Sequence, residues 1–124
     1  MNTWVAIALG GAAGAMGRYA LANGVYTVLG RDFPYGTLVV NVLGSLLMGF
    51  LYILLVERGA LGAEWRALIL VGLLGGFTTF STFSMETMSL IEVQAYFKAS
   101  LNVILSVVLC LVGTGMGMMI ARKL

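Results

Sequence analysis

The side chains able to do chemistry in this sequence are neutral hydrogen-bond donors set among apolar residues. Asn41 is the one strongly polar side chain of the apolar run around it. An amide left unpaired in hydrocarbon costs several kcal/mol, up to about 4–8 against a solvent that cannot hydrogen-bond, so it must be paired or wet. Its two N–H donors suit an anion, while a single bond to a neighbouring helix would merely fasten helices together. Asn102, Ser106, Cys110 and Thr114 recur every four residues. At about 100° per residue each step drifts by roughly 40°, which makes one slanted stripe on a helix. A stripe of this kind faces a partner or a water-filled path, or else packs against a neighbouring helix.

Phe77, Phe80 and Phe83 are spaced three apart inside the run Gly75-Gly76-Phe77-Thr78-Thr79-Phe80-Ser81-Thr82-Phe83-Ser84. An aromatic ring has a negative face and a positive edge, so its edge can sit beside an anion, although phenylalanine in lipid is ordinarily packing. Two glycines followed by Thr78, Thr79, Ser81, Thr82 and Ser84 favour departure from a regular helix. Such a departure at membrane depth is tolerated only when buried in protein or lining a wet cavity. Unwound ends present N–H groups to anions and carbonyls to cations. Among ionisable groups, Arg18 either anchors at an interface or draws anions to a pore mouth. Glu86 lies past the break, placed for a cation, a donor network or the interface; Glu92 and Lys98 read as boundary residues.

The elements that must position these groups are membrane spans. The chain has 124 residues, 60% hydrophobic and 10% charged. Soluble domains carry about a quarter charged residues, so lipid is the expected solvent. Four spans of about 20 residues use about 80 positions and leave short connectors, which points to a single domain over residues 1–124. The expected spans are residues 3–29, 35–56, 66–93 and 99–121, the third of them interrupted. Gly10, Gly11, Gly14 and Gly17 lie roughly on one side of the first and point to close helix–helix contact. No basic n-region precedes the first apolar stretch, so a cleaved signal peptide is not expected.

Several function classes fall away. Net charge is +2 and the seven basic residues are scattered, which leaves no nucleic-acid footprint. The chain has no histidine, and Cys110 is its only cysteine, so no intrachain disulfide can form. Hydrolytic constellations are missing, which argues against an enzyme. Even span number puts both termini on one side with Arg58, Arg66, Arg122 and Lys123, against Arg31 and Lys98, with Arg18 unassigned. That charge asymmetry is weak, and an antiparallel homodimer is compatible with it.

Taken together, these residues resemble the Fluc (CrcB-type) family of fluoride channels over nearly the whole chain. The likeness rests on Gly10-Gly11-Ala12-Ala13-Gly14-Ala15-Met16-Gly17-Arg18-Tyr19, on Gly36-Thr37-Leu38-Val39-Val40-Asn41-Val42-Leu43-Gly44-Ser45, and on the Gly75-to-Ser84 run with Glu86. The resemblance implies an all-α membrane protein: four transmembrane helices, the third broken mid-membrane, in an antiparallel dual-topology homodimer with two fluoride pores. It implies passive fluoride export across a bacterial inner (plasma) membrane, protecting a cell that fluoride enters as the neutral acid. Phe80 and Phe83 would then turn ring edges to fluoride and Asn41 would donate to it, with Ser81, Ser106 and Thr114 in the polar wall. A structural Na+ would sit at the dimer centre on the backbone carbonyls of Gly75 and Thr78 from both copies. Asn102 and Cys110 depart from the family's usual types. The rival classes are a small multidrug-resistance-type dual-topology transporter, disfavoured by Arg18 and the lack of an acidic residue in the first span, and a structural membrane protein.

Overall fold

The computed structural model describes residues 2–124, and among these every regular element is helical. Helix α1 is Thr3–Leu29 and α2 is Tyr35–Tyr52, continued by a π-helical stretch Ile53–Glu57. A short α3, Ala63–Arg66, runs into a second π-helical stretch, Ala67–Leu74, and then α4, Gly75–Phe77. Helix α5 is Phe80–Glu92 and α6 is Tyr96–Arg122. Four helical segments are long and apolar enough to cross a membrane: Thr3–Leu29, Tyr35–Glu57, Ala63–Glu92 and Tyr96–Arg122. The four expected spans are therefore present. The third starts at Ala63 and the fourth at Tyr96, each a turn earlier than the apolar pattern alone suggests, because polar interfacial residues join those helices.

Glycine lets the spans pair at backbone distance. A β-carbon at Gly10 would run into the Leu68 carbonyl and Leu73 N, and one at Gly14 into the Leu73 carbonyl. Gly72 and Gly76 answer from the other side, facing the carbonyls of Ile7 and Gly11. A second pair joins α2 to α6, where Gly49 lies on Thr114 and Gly117 on Leu46. In lipid no hydrophobic drive brings helices together, so van der Waals contact of this closeness is what holds the two pairs. Only 17–28% of each span's apolar window is buried within the chain, so the remaining surface meets lipid or another protein.

The connectors settle which charges share a side. Arg58 Nη2 donates to the Arg122 carbonyl at 3.3 Å, and Arg122 Nη2 is 3.3 Å from Glu57 Oε1. On the opposite side Lys98 Nζ donates to the Asp32 carbonyl at 3.3 Å. Arg18 belongs to neither group, since its Nε donates to the Gly76 carbonyl at 3.2 Å inside the bundle.

Between α5 and α6, Gln94 takes a left-handed φ of 63°, while its N–H reaches the Ile91 carbonyl at 2.9 Å. A β-carbon in that region costs about 1–2 kcal/mol. Gln94→Gly is accordingly expected to stabilise the chain by about 1 kcal/mol. In thermal unfolding followed in detergent this should appear as a rise of about 3–6 °C, and a fall would contradict it.

Candidate functional site

Between α2, the 78–83 stretch and α6 lies a partly open cavity of about 420 Å³. Its walls include Asn41 and Ser45 from α2, Phe80 and Phe83, and Ser106 and Thr114 from α6. Val107, Cys110 and Leu111 complete the α6 wall. Among the described residues, none that lines it carries a charge.

The cavity exists because helical dihedrals stop and restart here. After α4, Thr78 (φ −83°, ψ 157°) and Thr79 (φ −150°, ψ 115°) are extended. The Thr78 N–H still bonds the Leu74 carbonyl one helical turn back, at 3.0 Å, but the backbone groups of Thr79 need partners outside a helix. Asn41 serves Thr79 twice: the Thr79 N–H donates to Asn41 Oδ1 at 2.8 Å, and Asn41 Nδ2 donates to the Thr79 carbonyl at 2.9 Å. The two roles read for Asn41 are thus not exclusive. One of its two N–H donors is spent on stitching the backbone, and a second remains on a residue that lines the cavity.

Helix α5 then starts under a side-chain cap, with the Thr82 N–H donating to Thr79 Oγ1 at 3.2 Å. Its N-terminus, where the helix dipole is positive, opens beside the cavity. Carbonyl oxygens would repel an anion, and two of them are covered by hydroxyls one turn on. Ser84 Oγ donates to the Phe80 carbonyl at 3.0 Å and Thr87 Oγ1 to the Phe83 carbonyl at 2.8 Å. Phe80 and Phe83 pack with ring centroids 5.3 Å apart, tilted 49°. Phe83 is 9% exposed and Phe80 77%, so Phe80 presents its ring at the open side.

The other residues singled out in the sequence fall in different places. Ser106, Cys110 and Thr114 share the cavity wall, and Thr114 Oγ1 gives its proton to the Ser45 carbonyl at 3.1 Å. Asn102 does not join them. At 2% exposed it is turned towards α5, because the drift of the four-residue stripe carries its first member off the cavity face. Ser81 is exposed and outside this lining. Phe77 fills the space beside Gly17 and Gly44 and acts as packing. Glu86 also lies off the cavity, with Tyr26 Oη donating to its Oε2 at 2.9 Å and Arg31 lying 4.5 Å over the Tyr26 ring. Thr79 is marked in the sequence only as one of the hydroxyls that disrupt the helix, and Thr87 is not marked as functional there. Thr87's four-residue spacing from Phe83, at which a hydroxyl returns to a helix carbonyl, was its one legible signal.

Comparison with known proteins decides the family. Residues 5–118 match the family model described as CrcB-like protein, Camphor Resistance (CrcB). The chain belongs to the CrcB-like family. Among relatives of this CrcB-like chain, a protein of Geobacter sulfurreducens is 52% identical over 124 residues, covering 100% of both chains. One of Coxiella burnetii (strain Dugway 5J108-111) is 52% identical over 119 residues, covering 95% of this chain and 96% of the relative. One of Methylococcus capsulatus is 60% identical over 119 residues, covering 96% of this chain and 52% of the relative, so this chain spans about half that protein's length. All three relatives carry the name fluoride-specific ion channel FluC. With four spans and these bacterial relatives, the CrcB-like chain is a multi-pass protein of the bacterial inner membrane.

Proposed function

We infer that this chain forms a passive, fluoride-selective channel, working as an antiparallel dual-topology homodimer. The observation that carries this reading is the uncharged cavity walled by Asn41, Phe80, Phe83, Ser106 and Thr114, in a chain whose relatives bear the name of fluoride channels. Fluoride is small and strongly hydrated, so a path for it must replace its water with donors yet release it. Neutral amide and hydroxyl donors with ring edges meet both demands, whereas a fixed cation would trap the ion. A negative interior drives an anion outward by about 2.3 kcal/mol per 100 mV, so export requires no coupling.

The third span, on this reading, is broken at membrane depth, and the extended Thr78 and Thr79 form the bottom of the path. The exposed Phe80 ring and the cavity's open side mark where a second copy would close the wall. Ser81, exposed beside Phe80, would join the polar wall from that side. Arg18 would draw anions towards the mouth while holding the end of α4, and Glu86 would be part of the donor network through Tyr26.

A structural Na+ at the dimer centre fits the residues present. In an uninterrupted helix the Thr79 N–H would bond the Gly75 carbonyl, but here it goes to Asn41. The Gly75 carbonyl thereby loses its ordinary donor at an exposed position, and the Thr78 carbonyl belongs to an extended residue. Carbonyl oxygens of this kind suit a hard cation. Bound Na+ would supply positive charge that neutralises carbonyls at the contact between copies.

Purified protein in liposomes is expected to release fluoride rapidly once an ionophore lets a counter-cation move, and to release chloride far more slowly. A fluoride electrode outside the vesicles reads this directly. Equal fluoride and chloride rates would end the selectivity claim, and no fluoride release would end the channel reading.

A further inference from the structure

Asn102 is withheld from the cavity that its neighbours along α6 line, and it is among the largest fully buried side chains. A buried amide must be paired. Its Nδ2 donates to Thr87 Oγ1 at 2.9 Å, Thr87 Oγ1 donates to the Phe83 carbonyl at 2.8 Å, and Ser106 Oγ lies 3.5 Å from Asn102 Oδ1 as a donor. Two members of this chain of hydrogen bonds, Phe83 and Ser106, line the cavity.

The backbone end sets the direction of the whole chain. A carbonyl has no proton to give, so the 2.8 Å oxygen–oxygen separation requires the Thr87 hydroxyl to donate to Phe83. With that proton committed, Thr87 Oγ1 can only accept from Asn102. Nδ2 must therefore face Thr87, and the other end of the amide, the acceptor Oδ1, must face Ser106. One of the two orientations ordinarily open to an asparagine amide is excluded. The pore-wall hydroxyl of Ser106 consequently finds a fixed acceptor behind it.

We propose that Asn102, oriented by Thr87, is a positioning residue that makes a passing anion compete for the Ser106 proton. This rests on the channel reading above. At 3.5 Å the Ser106–Asn102 bond is long, so the hydroxyl turns to an ion in the cavity and turns back when the ion leaves. The departing ion then leaves no orphaned donor, and its hold at this point of the wall is weaker by the worth of that long bond, which is less than an ordinary hydrogen bond. A channel needs such weakness in order to release what it binds.

The test uses the full chain in planar bilayers, with conductance followed against fluoride concentration. Asn102→Leu removes the acceptor behind Ser106 outright, and Thr87→Val removes the acceptor that orients the amide, so that Nδ2 and Oδ1 compete to face Ser106; each leaves more of the Ser106 proton to the ion. The half-saturating fluoride concentration should fall about two- to threefold, with maximal conductance falling too, which is the size of one weak competing hydrogen bond lost. Thr87→Ser keeps the hydroxyl and should restore wild-type values. Ser106→Ala should raise half-saturation, and adding Thr87→Val to it should change nothing further. An unchanged half-saturation in Asn102→Leu and Thr87→Val alike, or the same fall in the Ser106→Ala background, overturns the proposal. Should Thr87→Val fail to fold, the wild type decides: the side-chain carbonyl ¹³C resonance of Asn102 should move on adding fluoride and not chloride, and a resonance unmoved at saturating fluoride overturns it. A wild type that conducts no fluoride refutes the channel reading instead, whereas a conducting wild type with indifferent Asn102→Leu and Thr87→Val variants refutes only the role of Asn102.

Discussion

Asn41→Leu is expected to abolish fluoride flux and to weaken the fold as well. Leucine has a similar size but no polar atoms, so the Thr79 N–H and carbonyl both lose their partner inside the bundle. Each unsatisfied group costs about 1–3 kcal/mol. The sum is a large fraction of the roughly 5–15 kcal/mol that holds a typical domain together. Asn41→Asp adds an electrostatic part to the structural one. Its carboxylate still accepts from the Thr79 N–H, but its second oxygen stands where Nδ2 was, facing the Thr79 carbonyl acceptor to acceptor, and its negative charge lies on the cavity wall. At about 4 Å and an effective dielectric of about 20, repulsion of an anion is about 4 kcal/mol, roughly a thousandfold in occupancy. Liposome efflux should therefore drop to background in both variants, while size-exclusion chromatography shows less intact protein for each than for the wild type. Wild-type efflux from either variant would remove Asn41 from the path.

Gly117→Ala should be as damaging from outside the cavity. Its β-carbon would land on the Leu46 carbonyl, with Phe50 N at 2.8 Å. These are backbone atoms of α2, which cannot swing aside as a side chain can, so α6 must move bodily. Overpacking of this kind costs about 1–3 kcal/mol and more where backbone is struck. The shift also separates Thr114 from Ser45, whose 3.1 Å hydrogen bond joins two walls of the cavity. Gly24→Ala provides the contrast, because nothing lies within 4 Å of its β-carbon. That substitution in a helix should gain up to about 1 kcal/mol. Comparing folded yield and thermal unfolding of the two tests the argument; equal tolerance would mean that α2 and α6 do not meet at backbone distance.

Both expectations depend on atoms far apart in the chain, and this divides what could be read early from what could not. Lipid solvation, four spans and the glycine-paired faces of α1 follow from composition and local periodicity, because a helix of about 1.5 Å rise per residue converts residue count directly into membrane thickness. The Gly75-to-Ser84 run, with its glycines, hydroxyls and phenylalanines, marked itself as the place to look, since each residue's preference against regular helix is local.

Spacing could not say what each donor bonds to. Asn41 and Thr79 are 38 residues apart, Arg18 and Gly76 are 58 apart, and only the packed bundle brings them together. The four-residue stripe on α6 looked uniform, yet the helix drift turned Asn102 into the protein and left Ser106, Cys110 and Thr114 on the cavity. Composition and periodicity alone determined that neutral donors sit within lipid on four helices. Tertiary structure decided which of those donors are spent on the backbone and which face the cavity, because a hydrogen bond depends on distance and direction in space, and neither is encoded in the interval between two residues.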